Sequence, residues 1–180
     1  MLIEKRLAEL GLELPEPMKL PPGVDLPFPW IRVIGARAFI SGHGPLLADG
    51  SLPPELGKVG SDVTPAQAYE AARSTALSML SSLRRELGDL DRIKAWVRVF
   101  GMVNAAPGFT QAPTVINGFS DLILELWGGE AGSHARSAVG LAELPFRIPV
   151  EIEAEVLIDS AEQKQPGTAR RRLPHGTARR

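Results

Sequence analysis

The chain is predicted to fold as an α+β domain: a mixed β-sheet with two helices packed on one face. Three observations carry that expectation. Residues 64–87 hold a capped apolar stripe at helical spacing, and a second such stripe follows Pro113. The stretches around them are short and rich in Val, Ile, Phe and Trp, which suits strands. In chain order the core elements read β-β-α-β-α-β-β, a pattern that segregates helices from sheet.

Each element has its own signal. The first ten residues place Ile3, Leu7 and Leu10 on one helical face, and Gly11 is a stop. Pro15, Pro17, Pro21, Pro22, Pro27 and Pro29 then enforce extended, stiff chain. Strands are expected at 30–34 and 37–41, ending at the turn-rich Gly42-His43-Gly44-Pro45, with 46–62 as loop. Thr64-Pro65-Ala66-Gln67 supplies an N-cap, a proline in the first turn and a capping-box glutamine. Tyr69, Ala72, Ala76, Leu80, Leu83 and Leu87 follow as an inward stripe, closed by Gly88. Residues 92–103 read as a strand. The second helix opens near Pro113, turns Ile116, Phe119, Ile123, Leu126 and Trp127 inward and stops at Gly128-Gly129. Two last strands are expected at 135–142 and 149–158.

At 180 residues the chain is one domain with additions: a lead over 1–27, a domain over 28–160 and a tail over 161–180. There is no cysteine, so disulfides, thiolate metal sites and cysteine nucleophiles are excluded together. No stretch approaches the roughly 20 apolar residues of a membrane span, and the charged N-terminus is no secretory leader. A cytoplasmic location is expected. The net charge of −1 hides an asymmetry, because the tail carries six basic residues and one acid, leaving about −6 on the body. An acidic body argues against nucleic acid as a partner. Gly-Thr-Ala-Arg-Arg occurs twice in the tail, at 167–171 and 176–180, among few apolar residues. Disorder is expected there, as a dispensable extension or as a basic arm.

His134-Ala135-Arg136-Ser137-Ala138-Val139-Gly140-Leu141-Ala142-Glu143-Leu144-Pro145, followed by Pro149-Val150-Glu151-Ile152-Glu153-Ala154, resembles the signature of the YjgF/RidA family. Phe39-Ile40-Ser41-Gly42, the capped helix and Val115-Ile116-Asn117 fall in the family's order, so the resemblance covers about residues 28–158. It implies a chorismate-mutase-like fold closed as a trimeric barrel, with ligand clefts between subunits. It also implies hydrolysis of reactive enamines and imines to 2-keto acids and ammonia, without cofactor or metal. By the same resemblance Arg136 binds the substrate carboxylate and Glu151 positions the attacking water. Ser41, Asn117 and Trp30 line the cleft. Trp30 replaces a tyrosine and Ala138 a cysteine of the family pattern, so the lining belongs to a divergent branch.

The residue chemistry fits that implication. A 2-keto-acid imine sets a carboxylate beside an electrophilic C=N carbon, and arginine's planar fork matches the two oxygens. A glutamate can take a proton from water and return it to nitrogen. His43, His134 and His175 are far apart and lack metal-ligand spacing. Other readings stand beside these. Arg136 could be a structural ion-pair partner, the Glu151, Glu153 and Glu155 trio a solvated strand face, and His43 a turn histidine facing solvent. A non-catalytic module binding a small carboxylate would also need Arg136, but not Glu151. A ribonuclease would need the acidic body to meet RNA. A hairpin of the last two strands would hold Arg136 roughly 15 Å or more from Glu151, at about 3.3 Å per residue. The resemblance implies instead a central last strand, separated from the Ala-Arg-Ser strand, and a cleft between subunits; only that arrangement can combine the pair.

Overall fold

The computed structural model describes residues 2–20 and 23–159. The tail expected to be disordered lies outside the described residues. The elements are α1 (Leu2–Glu9), β1 (Ile31–Ile34), β2 (Arg37–His43), α2 (Pro65–Leu87), β3 (Ile93–Asn104), α3 (Ala112–Ala131), β4 (Ala135–Leu141) and β5 (Val150–Ile158), with 3-10 turns at Leu90–Arg92 and Pro145–Arg147. The core order is that expected from the sequence.

The two long helices form where their local chemistry dictates. Thr64 accepts from the Gln67 backbone N–H, and the Gln67 side chain accepts from the Thr64 N–H, which completes the capping box. Gly88 closes α2 at φ 81, where only glycine is unstrained. α3 opens at Ala112, one residue before the expected proline. Gly128 breaks its helical dihedrals at φ 78, although the helix resumes as far as Ala131. α1 ends at Glu9, so Ile3 and Leu7 are buried while Leu10, expected inward, is 40% exposed. Two further inward positions are only half-buried. Tyr69 turns its hydroxyl to Asp121 at 2.8 Å, and Trp127 lies at the core's margin.

The sheet order is β1-β2-β5-β3-β4. β5 pairs antiparallel with β2 and β3, and β4 runs parallel to β3 at an edge. The last two strands are therefore not a hairpin, because β3 stands between them. Val150, Ile152, Ala154, Val156 and Ile158 alternate into the core under α2 and α3. Glu151, Glu153 and Glu155 face the other way, where neither long helix covers the sheet. Two close approaches hold the layers together. A Cβ at Gly101 would run into the Ile116 side chain, and one at Gly118 into the Tyr69 carbonyl where α2 crosses α3.

Candidate functional site

The expected site residues fall into two groups, one around β2 and the central strand β5 and the other at the β4 edge of the sheet. The first surrounds a bulge in β2, which runs to His43, beyond the expected end at residue 41. Ile40 pairs with Ala154 and His43 with Ile152, so Ser41 and Gly42 are looped out between them. The Ser41 hydroxyl donates to the Pro29 carbonyl at 2.9 Å, and its backbone N–H donates to Trp30 at 3.0 Å. Those bonds tie the lead to the bulge and set Trp30 against His43, with ring centroids 4.9 Å apart. The Glu151 carboxylate lies over Gly42, in space that a Cβ there would occupy. Burial, and after it the neighbouring Glu153 charge, raises the Glu151 carboxyl above the usual carboxylate range.

The second group lies at the β4 edge. Arg136 donates to the Ser120 hydroxyl at 2.9 Å and, more weakly, to the Pro113 carbonyl at 3.3 Å. Ser120 is 3.0 Å from His134 Nε2, and His134 Nδ1 is 2.8 Å from the Gly132 carbonyl. A carbonyl only accepts, so Nδ1 carries the proton and Nε2 accepts from Ser120. Burial first, and Arg136 to a smaller degree, lowers the His134 pKa; the Gly132 bond partly offsets this. The chain Arg136, Ser120, His134 thus orients the guanidinium through a neutral imidazole. Asn117 sits on α3 between Pro113 and Ser120, on the helix face that Arg136 spans. Ala138, two residues on along β4, packs against the core on Arg136's side of the strand.

Arg136 has no carboxylate partner among the described residues, so the ion-pair reading has nothing to rest on. It does not meet Glu151 within the chain either. Arg136 pairs with Val99, and Val99 with Ala154, three residues from Glu151 and two strands across. At about 3.3 Å per residue and 4.8 Å per strand the two Cα atoms are roughly 14 Å apart. Their side chains also leave opposite faces of the sheet, since Arg136 shares the core face of Val99.

His43 overturns the expectation of a solvent-facing turn histidine. It is the last residue of β2 and 5% exposed. Its Nδ1 donates to the Ser41 carbonyl at 2.7 Å, and its Nε2 accepts from Ser82 at 2.9 Å. Burial lowers its pKa to about 4; the Ser41 bond works against that and Arg85 adds to it. Ser82 accepts from Arg85 at 2.9 Å. A second Arg-Ser-His chain, 85-82-43, therefore stands at the end of β2. Sequence reasoning missed Ser82, Arg85 and Ser120. The available signal was serine on the apolar stripes of both helices, where an unpaired hydroxyl would be costly. A cavity of about 250 Å³ opens beside these groups, with Glu151, Trp30 and Arg85 in its wall.

Among the described residues, three helices and a five-stranded mixed sheet with one open face define an α+β architecture that carries two separated groups of polar side chains. The family model described as "YjgF/chorismate mutase-like, putative endoribonuclease" matches residues 4–148. The chain is 38% identical over 144 residues to Protein TCP17 of Trypanosoma cruzi, covering 77% of this chain and 90% of that one. The crystal structure of Atu1372 from Agrobacterium tumefaciens, a protein of unknown function, has 38% identity and a TM-score of 0.76. The match covers 88% of this chain and 92% of that one. A Shewanella oneidensis structure described as a putative endoribonuclease has 30% identity and a TM-score of 0.78, covering 88% and 100%. The chain belongs to the YjgF/chorismate-mutase-like family.

Proposed function

We propose that the protein hydrolyses enamine and imine derivatives of amino acids to 2-keto acids and ammonia, in a cleft that two subunits of a homotrimer build together. The observation that carries this reading is complementarity. One sheet edge offers a guanidinium free of any described carboxylate and oriented by Ser120 and His134. The central strand β5 offers a half-buried carboxyl, that of Glu151, with raised proton affinity. Within one chain the two groups are separated, so a neighbouring copy is needed to set its Arg136 opposite Glu151.

In that cleft Arg136 holds the substrate carboxylate through paired N–H donors, with Asn117, Ser41 and Trp30 lining the rest. Water attacks the C=N carbon while Glu151 takes its proton. The protonated imine thereby becomes a carbinolamine, which receives that proton on nitrogen; the C–N bond breaks, ammonia leaves, and the hydroxyl proton passes to Glu151 as the C=O bond forms. A carboxyl whose pKa lies closer to neutrality serves both proton transfers better than an ordinary one. The nuclease description of the family finds less support in this chain. His43 and His134, the two histidines among the described residues, are held neutral by serine and backbone partners that occupy both nitrogens of each ring. Neither ring has a nitrogen free to act on a phosphodiester.

The test generates 2-aminoacrylate and bulkier amino-acid-derived imines in situ and follows keto acid and ammonia. Wild type should accelerate release. Arg136→Ala should raise KM or abolish turnover, and Glu151→Gln should lower kcat with little effect on binding of an unreactive 2-keto acid. No acceleration with any imine sinks the enzyme reading. Ligand binding lost with Arg136→Ala but intact in Glu151→Gln, without turnover, would make the protein a carboxylate-binding module.

A further inference from the structure

We propose that the cavity between α2, the end of β2 and the lead, which shares Trp30 and Glu151 with the proposed cleft, binds a small monocarboxylate with an apolar alkyl or aryl body, anchored by Arg85. This inference rests on the cavity and stands whether or not the protein hydrolyses imines.

The walls are predominantly apolar: Met18 and Phe28 from the lead, Trp30, Leu46, Leu52 and Ile148. At about 250 Å³ the space exceeds the roughly 150 Å³ cavity that takes up benzene, so it can hold a ring with a short chain. Among the described residues its one cationic wall residue is Arg85. Arg85 donates to Ser81 at 2.6 Å and to Ser82 at 2.9 Å. Both serines are buried, and each is fixed by a further partner: Ser81 donates to the Pro15 carbonyl and Ser82 to His43. Those bonds use two of the five N–H donors of a guanidinium. Among the described residues no carboxylate makes an ion pair with Arg85; Glu16 acts on it only from a distance.

An arginine on a helix surface ordinarily keeps its head in water and its rotamers free. Here two buried serines give up their hydroxyl lone pairs to hold the head at the rim of an apolar cavity. That arrangement is a preorganised anion anchor, because the entropy of fixing a long side chain is spent before the ligand arrives. The opposite rim carries a second cost. Phe146 is held at φ 55, a left-handed backbone that a bulky residue adopts only under strain, and the residue is 51% exposed beside the opening. An aromatic presented to water at that cost becomes buried when an apolar body enters. Glu151, also in the wall, is not neutralised by Arg85, since no cation is among the groups acting on it. The cavity therefore receives one negative head, at Arg85, and excludes a second near Glu151. A dicarboxylate is the wrong ligand.

Calorimetric titration of the full chain with 3-phenylpropionate tests this, with 3-phenylpropanamide as the uncharged probe of the same shape. Saturable binding is expected, at least tenfold weaker for the amide and for Arg85→Met, and unchanged for Arg136→Ala. The proposal is overturned if the carboxylate does not bind at millimolar concentration or if the amide binds wild type equally well. It also falls if Arg136→Ala removes binding while Arg85→Met retains it. The amide comparison uses wild type alone, so the test holds even if Arg85→Met folds poorly.

Discussion

His43 shows how far one buried residue can set a pH dependence. Its pKa is about 4 in the fold and near 6.5 in an unfolded chain, with burial the larger cause. Between those values the unfolded state binds the proton and the folded state does not. The stability that a neutral His43 confers is therefore complete above pH 6.5 and is lost as the pH falls toward 4. The loss amounts to at most about 3 kcal/mol, taking roughly 1.4 kcal/mol for each pH interval of one. Denaturant titrations at pH 7 and pH 5 should show this slope, and His43→Gln should flatten it. NMR should find one imidazole that does not titrate above pH 5. A His43 resonance titrating near pH 6.5 would contradict the burial argument. Glu151 has the opposite tendency for catalysis. Its raised carboxyl makes any activity that needs the carboxylate fall at a higher pH than an ordinary glutamate would allow.

At the scale of elements, the contact between α2 and α3 is the one that places the Arg136 group. Gly118 lets α3 approach so closely that a Cβ there would meet the Tyr69 backbone carbonyl, which cannot swing aside as a side-chain tip could. Asn117 and Ser120 lie within two residues of this contact. Gly118→Ala should destabilise the fold by about 1–3 kcal/mol, the range for overpacking, despite alanine's better helix propensity. Thr64→Ala at the α2 N-cap should cost about 1 kcal/mol. It should leave ligand affinity unchanged, since the Thr64 side chain bonds only within its own capping box. Chemical denaturation with a binding assay separates the two. If Gly118→Ala is as stable as wild type, the helix crossing is not the constraint argued here.

For the whole molecule, the open face of the sheet is the feature that calls for a partner. α2 and α3 cover one side, while Phe39, Phe100 and Met102 stand on the other among Arg98, Glu153 and Glu155. Such a half-covered, partly apolar face is suited to association with copies of itself. Light scattering should give about three times the mass of the 19.4 kDa chain. A clean monomer at micromolar concentration would leave Arg136 and Glu151 with no way to meet. Among the described residues no helix is long and apolar enough to cross a membrane.

Much of this was legible in the chain itself, for local reasons. A capping box, a C-cap glycine and apolar positions at period 3.6 or 2 act over a few residues, so Thr64, Gly88 and the β5 alternation named their elements without any partner. The Ala-Arg-Ser and Glu151 segments likewise carried the family resemblance, and with it the choice of Arg136 and Glu151. Strand order, by contrast, is a long-range outcome. Nothing near residues 135–158 reveals that β3 separates β4 from β5, and that insertion leaves Arg136 on an edge strand and Glu151 on the central one, two strands away and on the opposite face. The burial of His43 against Ser82, the Ser120 and His134 side chains that orient Arg136, and the Pro15 carbonyl that fixes Ser81 beside Arg85 depend on groups brought together across 14 to 66 positions of sequence. Sequence periodicity fixes which face a residue takes. Packing decides what it meets there.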